Sequence, residues 1–99
     1  MPFTNEQKKA YRTIGHSLKP IVSVASKGLT ENVLEELNRA LDDHELIKIK
    51  IAVGDREARD LVLKSIVTDT RADLVQQIGN VALLLRKNPN AKPKLSNLG

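Results

Sequence analysis

Leu46-Ile47-Lys48-Ile49-Lys50-Ile51-Ala52-Val53 alternates between two sets of side chains with a period of two. Such a run forms a strand, because successive side chains of an extended chain point to opposite faces. Ile47, Ile49, Ile51 and Val53 then share a core face, while Leu46, Lys48, Lys50 and Ala52 share an open face that carries two lysines. The flanking residues keep a different period. Upstream, Thr30 is a capping residue, Leu29 and Leu34 stand at the two positions of a hydrophobic staple, and Val33, Leu34, Leu37 and Leu41 recur at helical spacing until Asp42-Asp43-His44. Downstream, Gly54-Asp55 turns the chain into another helix capped by Asp55, with Ala58, Leu61, Val62, Ser65 and Ile66 as its expected inner face; it fades near Thr70-Arg71-Ala72. A strand between two amphipathic helices places the chain in the α/β class.

Thr4 followed by Gln7 is a capping-box pattern, and Tyr11, Ile14 and Leu18 form an apolar stripe behind it, with Lys8, Lys9 and Arg12 directed largely away from that stripe. Gly15 weakens this first helix and Pro20 ends it. Pro20-Ile21-Val22-Ser23-Val24 is short and β-branched, a first strand, and Ala25-Ser26-Lys27-Gly28 makes a tight connection in which Gly28 is free to take positive φ. Beyond the third helix, Leu74 to Ile78 and Val81 to Leu85 are two strand-like runs joined by Gly79-Asn80, a two-residue hairpin turn. The expected order is α-β-α-β-α-β-β: a single compact domain, residues 1–87, with a four-stranded mixed sheet and packed helices. Residues 88–99, with Pro89, Pro93 and little to bury, are expected to be a flexible basic tail. No internal repeat is present.

Charge narrows the function. The 99 residues carry a net charge of +4, unevenly spread: residues 1–19 hold +3, residues 86–99 hold +4, and residues 20–85 hold −3. If the fold joins the two ends, they make a positive patch of the kind that attracts polyanions. There is no cysteine, which removes disulfides, thiolate metal sites and cysteine nucleophiles. His16 and His44 each lack a second His or Cys at ligand spacing, so no metal is expected. Asp42-Asp43-His44-Glu45 is a solvated turn whose neighbours diverge, and no Walker loop, dinucleotide fingerprint or nucleophile elbow is present. The expectation is a binding module, not an enzyme, with no catalytic residue, cofactor or small-molecule substrate. The longest apolar run is five residues, Val81 to Leu85, far short of the roughly 20 that span a bilayer, and no signal segment follows the N-terminus. A cytoplasmic protein without a membrane partner is expected. Phe3 and Tyr11 are the only aromatic residues, too few for stacking several bases, so a nucleic-acid partner would be held through phosphate, sugar and shape.

Four blocks in order complete the reading: Leu18-Lys19-Pro20-Ile21-Val22; Gly28-Leu29-Thr30-Glu31-Asn32-Val33; His44-Glu45-Leu46-Ile47-Lys48-Ile49-Lys50-Ile51; and Gln77-Ile78-Gly79-Asn80-Val81 leading to Leu85-Arg86. Together they resemble the CRM domain, and more narrowly its bacterial single-domain members, the YhbY family, over roughly residues 4 to 87. The resemblance implies a shape similar to the C-terminal domain of translation initiation factor three. It also implies RNA binding, linked in bacteria to precursors of the large ribosomal subunit and in plants to organelle intron splicing. The family's RNA contact, a GxxG loop similar in chemistry to that of KH domains, falls on Ala25, Ser26, Lys27 and Gly28. Here Ala25 replaces the first glycine, and its methyl group limits φ and space at that position; weakened rather than lost binding is expected.

The residues themselves suggest further RNA contacts at Lys8, Lys9 and Arg12 on the first helix, at Lys19 just before the first strand, and at Lys48 and Lys50 on the open sheet face. The tail lysines would add affinity without sequence preference. The expected function is therefore a monomeric RNA-binding ribosome-assembly factor. A protein-interaction module on a ribosomal protein and a small DNA-binding architectural protein are the readings left beside it.

Overall fold

Thr4 opens the first helix as its sequence pattern requires. Its hydroxyl accepts from the Gln7 N–H at 3.1 Å, and the Gln7 side chain accepts from the Thr4 N–H at 2.9 Å. The structure, a computed structural model, describes residues 4–25 and 28–98. In chain order the elements are α1 (Asn5–Ser17), β1 (Pro20–Val24), α2 (Glu31–His44), β2 (Leu46–Ile51), α3 (Arg56–Thr70), β3 (Asp73–Ile78) and β4 (Val81–Leu85). They follow the expected α-β-α-β-α-β-β order. The strands form one mixed sheet in the order β1-β2-β4-β3. β1 and β2 run parallel, as the intervening helix α2 allows, while β4 pairs antiparallel with β2 and with β3. Gly79 takes φ +58 in the two-residue β3–β4 turn; positive φ at the first central position suits the twist of a hairpin.

Both faces of the sheet are packed. On one, Val22, Val24, Ile47, Ile49, Ile51, Ala82 and Leu84 meet Leu37, Ala40 and Leu41 of α2 and Leu63 and Ile66 of α3. On the other, Leu46, Val75, Leu83 and Leu85 meet Tyr11, with Ile14, Leu18 and Leu98 at the margin. This explains why Val81 to Leu85 is apolar without alternation: a central strand covered on both sides has no water-facing side chains. It also corrects the expectation of an open face behind β2, since α1 covers the Leu46 half of that face. Gly15 makes the close approach possible. A Cβ there would lie 2.6 Å from Leu83 Cδ2, so the residue that weakens the helix lets it settle on the strand.

α3 is rotated from its expected orientation. Ile66 is buried and Val62 packs against the core as expected, but Leu61 is 67% exposed and Ser65 is exposed, and Leu63 and Thr70 are buried in their place. Leu61-Val62-Leu63 offers an apolar residue at three successive positions, and the partners on the sheet decide which of them turns inward. Thr70 compensates its burial by donating to Ile66 O at 2.6 Å and accepting from the Ala72 N–H at 3.3 Å.

In the segment expected to be a flexible tail, Asn88 and residues 95–98 contact the junction of α2 and β2. The Asn88 N–H donates to Glu45 Oε2 at 2.7 Å, Ser96 Oγ to Glu45 Oε1 at 2.8 Å, and Asn97 Nδ2 to Leu46 O at 2.6 Å. Little of this docking is apolar, so hydrophobic periodicity gives no sign of it. Arg86 is likewise used internally. Its guanidinium donates to Asn38 Oδ1 at 2.8 Å, Asn38 O at 3.0 Å, Thr70 O at 2.7 Å and Asp42 Oδ1 at 2.8 Å.

Candidate functional site

The C-terminal ends of parallel strands β1 and β2 lead into the N-termini of α2 and α3, so both helix starts lie at one end of the sheet. Thr30 caps α2 by accepting from the Val33 N–H at 3.3 Å, and Asp55 caps α3 by accepting from the Ala58 N–H at 2.8 Å. The β3–β4 turn reaches the same end, because Lys50 pairs with Val81. The 25–28 connection stands there. The Gly28 N–H donates to Ala25 O at 2.8 Å, closing a four-residue turn, and Gly28 takes φ +75. Among the described residues a Cβ on Gly28 would meet only Val62 Cγ2, at 3.8 Å. Conformation, not room, therefore demands glycine at this position. Ala25 is exposed; Ser26 and Lys27, the expected tip contacts, lie outside the described residues.

A cross-strand row runs beside the turn on the α1 side of the sheet. Pairing places Ile78 next to Val81, Val81 next to Lys50, and Lys50 next to Ser23. Ser23, Lys50 and Ile78 are exposed, so the part of this face left free by α1 adjoins the turn. The acids nearest the helix starts, Glu31, Asp55 and Glu57, already complement the two helix dipoles. Added positive charge at this end comes from Lys50 and Arg56.

The other expected contacts are distributed differently. Lys19 precedes β1 and so lies at the far end of that strand from the turn, about 17 Å away for five residues at ~3.3 Å each. Lys8, Lys9 and Arg12 flank Tyr11, which belongs to the core cluster of Leu46, Val75, Leu83 and Leu85, and paired Leu46 and Leu85 mark the same far end. Lys48 is half-buried and lines small cavities with Gly15 and His16 on one side and with Lys19 and Asn97 on the other. It stands beside the C-terminal turn of α1, where a cation is favourable in any case. The fold does bring the two chain ends together, as Lys19 and Asn97 share a cavity and Leu98 packs near Tyr11. It does so at the end of the sheet opposite the turn.

A groove of about 700 Å³ lies between α3 and β3, lined by Arg56, Arg59, Lys64, Leu63, Val67 and Leu74 among others, and none of the sequence motifs marks it. Positions 56, 59, 63 and 67 share a helical face, a signal hidden by the mistaken inner face of α3. Among the described residues, no group of three or more His, Cys, Asp or Glu could hold a metal ion, and no helix is long and apolar enough to cross a membrane.

Fold and site together define a small α/β domain with a glycine turn at the helix-start end of its sheet. The family profile described as the CRS1 / YhbY (CRM) domain matches residues 3–86. A probable RNA-binding protein of Pseudomonas aeruginosa is 53% identical over 98 residues, covering 99% of this chain and 94% of the relative. An RNA-binding protein of Haemophilus influenzae is 42% identical over 92 residues, 93% of each chain. A Staphylococcus aureus protein solved in solution and proposed to bind RNA superposes with a TM-score of 0.77 at 27% identity, covering 91% of this chain and 94% of that one. The chain belongs to the CRS1 / YhbY (CRM) domain family.

Proposed function

We propose that this protein binds RNA, and that its target is ribosomal RNA in precursors of the large subunit, held during assembly without chemical turnover. The observation that carries the reading is the 25–28 turn: Gly28 at φ +75, closed onto Ala25, at the sheet end where two helices begin. A turn of this kind lets a phosphate approach backbone N–H groups. Lys27, next to Gly28 in the sequence, and Lys50 on the adjoining strand would supply charge. RNA binding is also what the names of its relatives state for those proteins.

Ala25 in place of the first glycine costs some closeness of approach but leaves the Gly28 conformation intact. Lys8, Lys9, Arg12 and Lys19, at the far end of the sheet, would engage a second stretch of backbone, which suits a large folded RNA more than a short strand. The protein acts as a monomer in the cytoplasm in this reading.

The test is binding of a fluorescent fragment of structured ribosomal RNA at low and near-physiological salt, comparing the wild type with a Lys27→Glu/Gly28→Asp double variant. Affinity should fall steeply with salt, because each neutralised phosphate releases counterions, and the variant should lose binding. Equal binding by the variant removes the turn from the site; no binding by the wild type removes RNA.

A further inference from the structure

The groove between α3 and β3 has its own chemistry. Its floor is aliphatic, formed by Leu63, Val67 and Leu74, and its rim carries Arg56, Arg59 and Lys64 against the single acid Asp60. Asp60 is already engaged across the groove by Gln77 Nε2 at 3.4 Å. Arg59 Nε is buried with no hydrogen-bond partner among the described residues. A buried donor on a cation with no protein partner is one that a bound anion can satisfy.

We infer that this groove binds a single-stranded nucleotide of the RNA, with its phosphate on Arg59, Arg56 and Lys64 and its base against Leu63, Val67 and Leu74. A groove of about 700 Å³ lies in the size range that accommodates a ligand of this scale. The charge balance selects an anion, and the aliphatic floor selects one with an apolar face. The other anionic occupant with apolar groups, an acidic peptide added as a fifth strand along β3, meets an obstacle. The register of β3 shifts between Leu74 and Gln76, and such a bulge interrupts the ladder that strand addition needs. Arg56 and Gly79 place one mouth of the groove at the same sheet end as the 25–28 turn, so one RNA can reach both.

The inference rests on the RNA-binding reading, and its test separates the two. Fluorescent octauridylate is titrated against the full chain and against Arg59→Met, with thermal unfolding of each, and backbone amide shifts of the wild type are followed by NMR during the titration. Arg59→Met should weaken octauridylate binding about fivefold and lower its salt slope by about 1. Its melting temperature should be unchanged or higher, because the lost donor had no partner. Amide shifts should move at residues 59–67 and 74–79. The inference is overturned if Arg59→Met binds octauridylate as tightly as the wild type while Lys27→Glu/Gly28→Asp still loses structured RNA, an outcome that leaves the turn as the RNA site. It is overturned in favour of a protein partner if oligoglutamate shifts the groove amides and octauridylate does not.

Discussion

Glu45 is a residue whose backbone and side chain pull in opposite directions. It links α2 to β2 at φ +62 and ψ −48, a conformation that costs an L-residue on the order of 1–3 kcal/mol. Its surroundings hold it there: its N–H donates to Leu41 O, its carbonyl accepts from the Arg86 N–H at 2.8 Å, and its carboxylate accepts from Asn88 and Ser96. Glu45→Ala removes the carboxylate and keeps the strain, and should lose about 1–2 kcal/mol. Glu45→Gly removes both, so it should be more stable than the alanine variant by about 1 kcal/mol. Urea denaturation of the three proteins measures the order, wild type above glycine above alanine; alanine above glycine would mean the strain is not felt. Nothing in Asp42-Asp43-His44-Glu45 announces this, because positive φ at a non-glycine residue is imposed by partners some 40 to 50 residues away.

At the scale of elements, α1 and β4 depend on a residue that looks unfavourable alone. Gly15→Ala gains about 1 kcal/mol of helix propensity but drives a methyl group into buried Leu83, and overpacking costs roughly 1–3 kcal/mol. The net effect should be a destabilisation of about 1 kcal/mol. In a Leu83→Ala background the space is open, and the same substitution should become stabilising; calorimetry of the double-mutant cycle reads the reversal of sign. α3 depends on another element in a different way. No basic residue occupies its last turn, and Arg86, at the end of β4, donates to its terminal carbonyl at Thr70 while also bonding Asn38 and Asp42 of α2. Lysine cannot reproduce that planar fork, so Arg86→Lys should cost about 2 kcal/mol, read by chemical denaturation. The alternation of Leu46 to Ile51, the capping residues Thr4, Thr30 and Asp55, and Gly79-Asn80 made every element legible, since each is a local signal. The rotation of α3, the covering of Leu46 by α1 and the use of Arg86 were not legible, because each is decided by a surface the element meets only after folding. For the candidate site, the turn at 25–28 was readable from Gly28, while the groove on α3 was hidden with that helix's true inner face.

Over the whole molecule, charge and packing at the C-terminal segment can be separated. Lys92 and Lys94 are exposed, whereas the contacts that dock the segment come mainly from Asn88, Leu95, Ser96, Asn97 and Leu98. A chain ending at Lys94 keeps every basic residue and loses most of the docking, including the bond from the Asn97 N–H to His44 O at 2.9 Å. Net values of roughly 0.5–1.5 kcal/mol per hydrogen bond, set against the entropy of ordering the segment, give an expected loss of about 1–2 kcal/mol. For a domain of this size that lowers the melting temperature by roughly 5–15 °C. Lys92→Gln/Lys94→Gln does the reverse, removing two charges from solvent and no bond that holds the segment, so its melting temperature should match the wild type. If the segment's lysines lie along the proposed RNA, this second variant should lower the salt slope of binding by up to about 2, and the shortened chain should leave the slope unchanged at a temperature where both are folded. If the shortened chain alone flattens the slope, then the docked position of the segment, not its charge, is what presents the basic end of the sheet to the RNA.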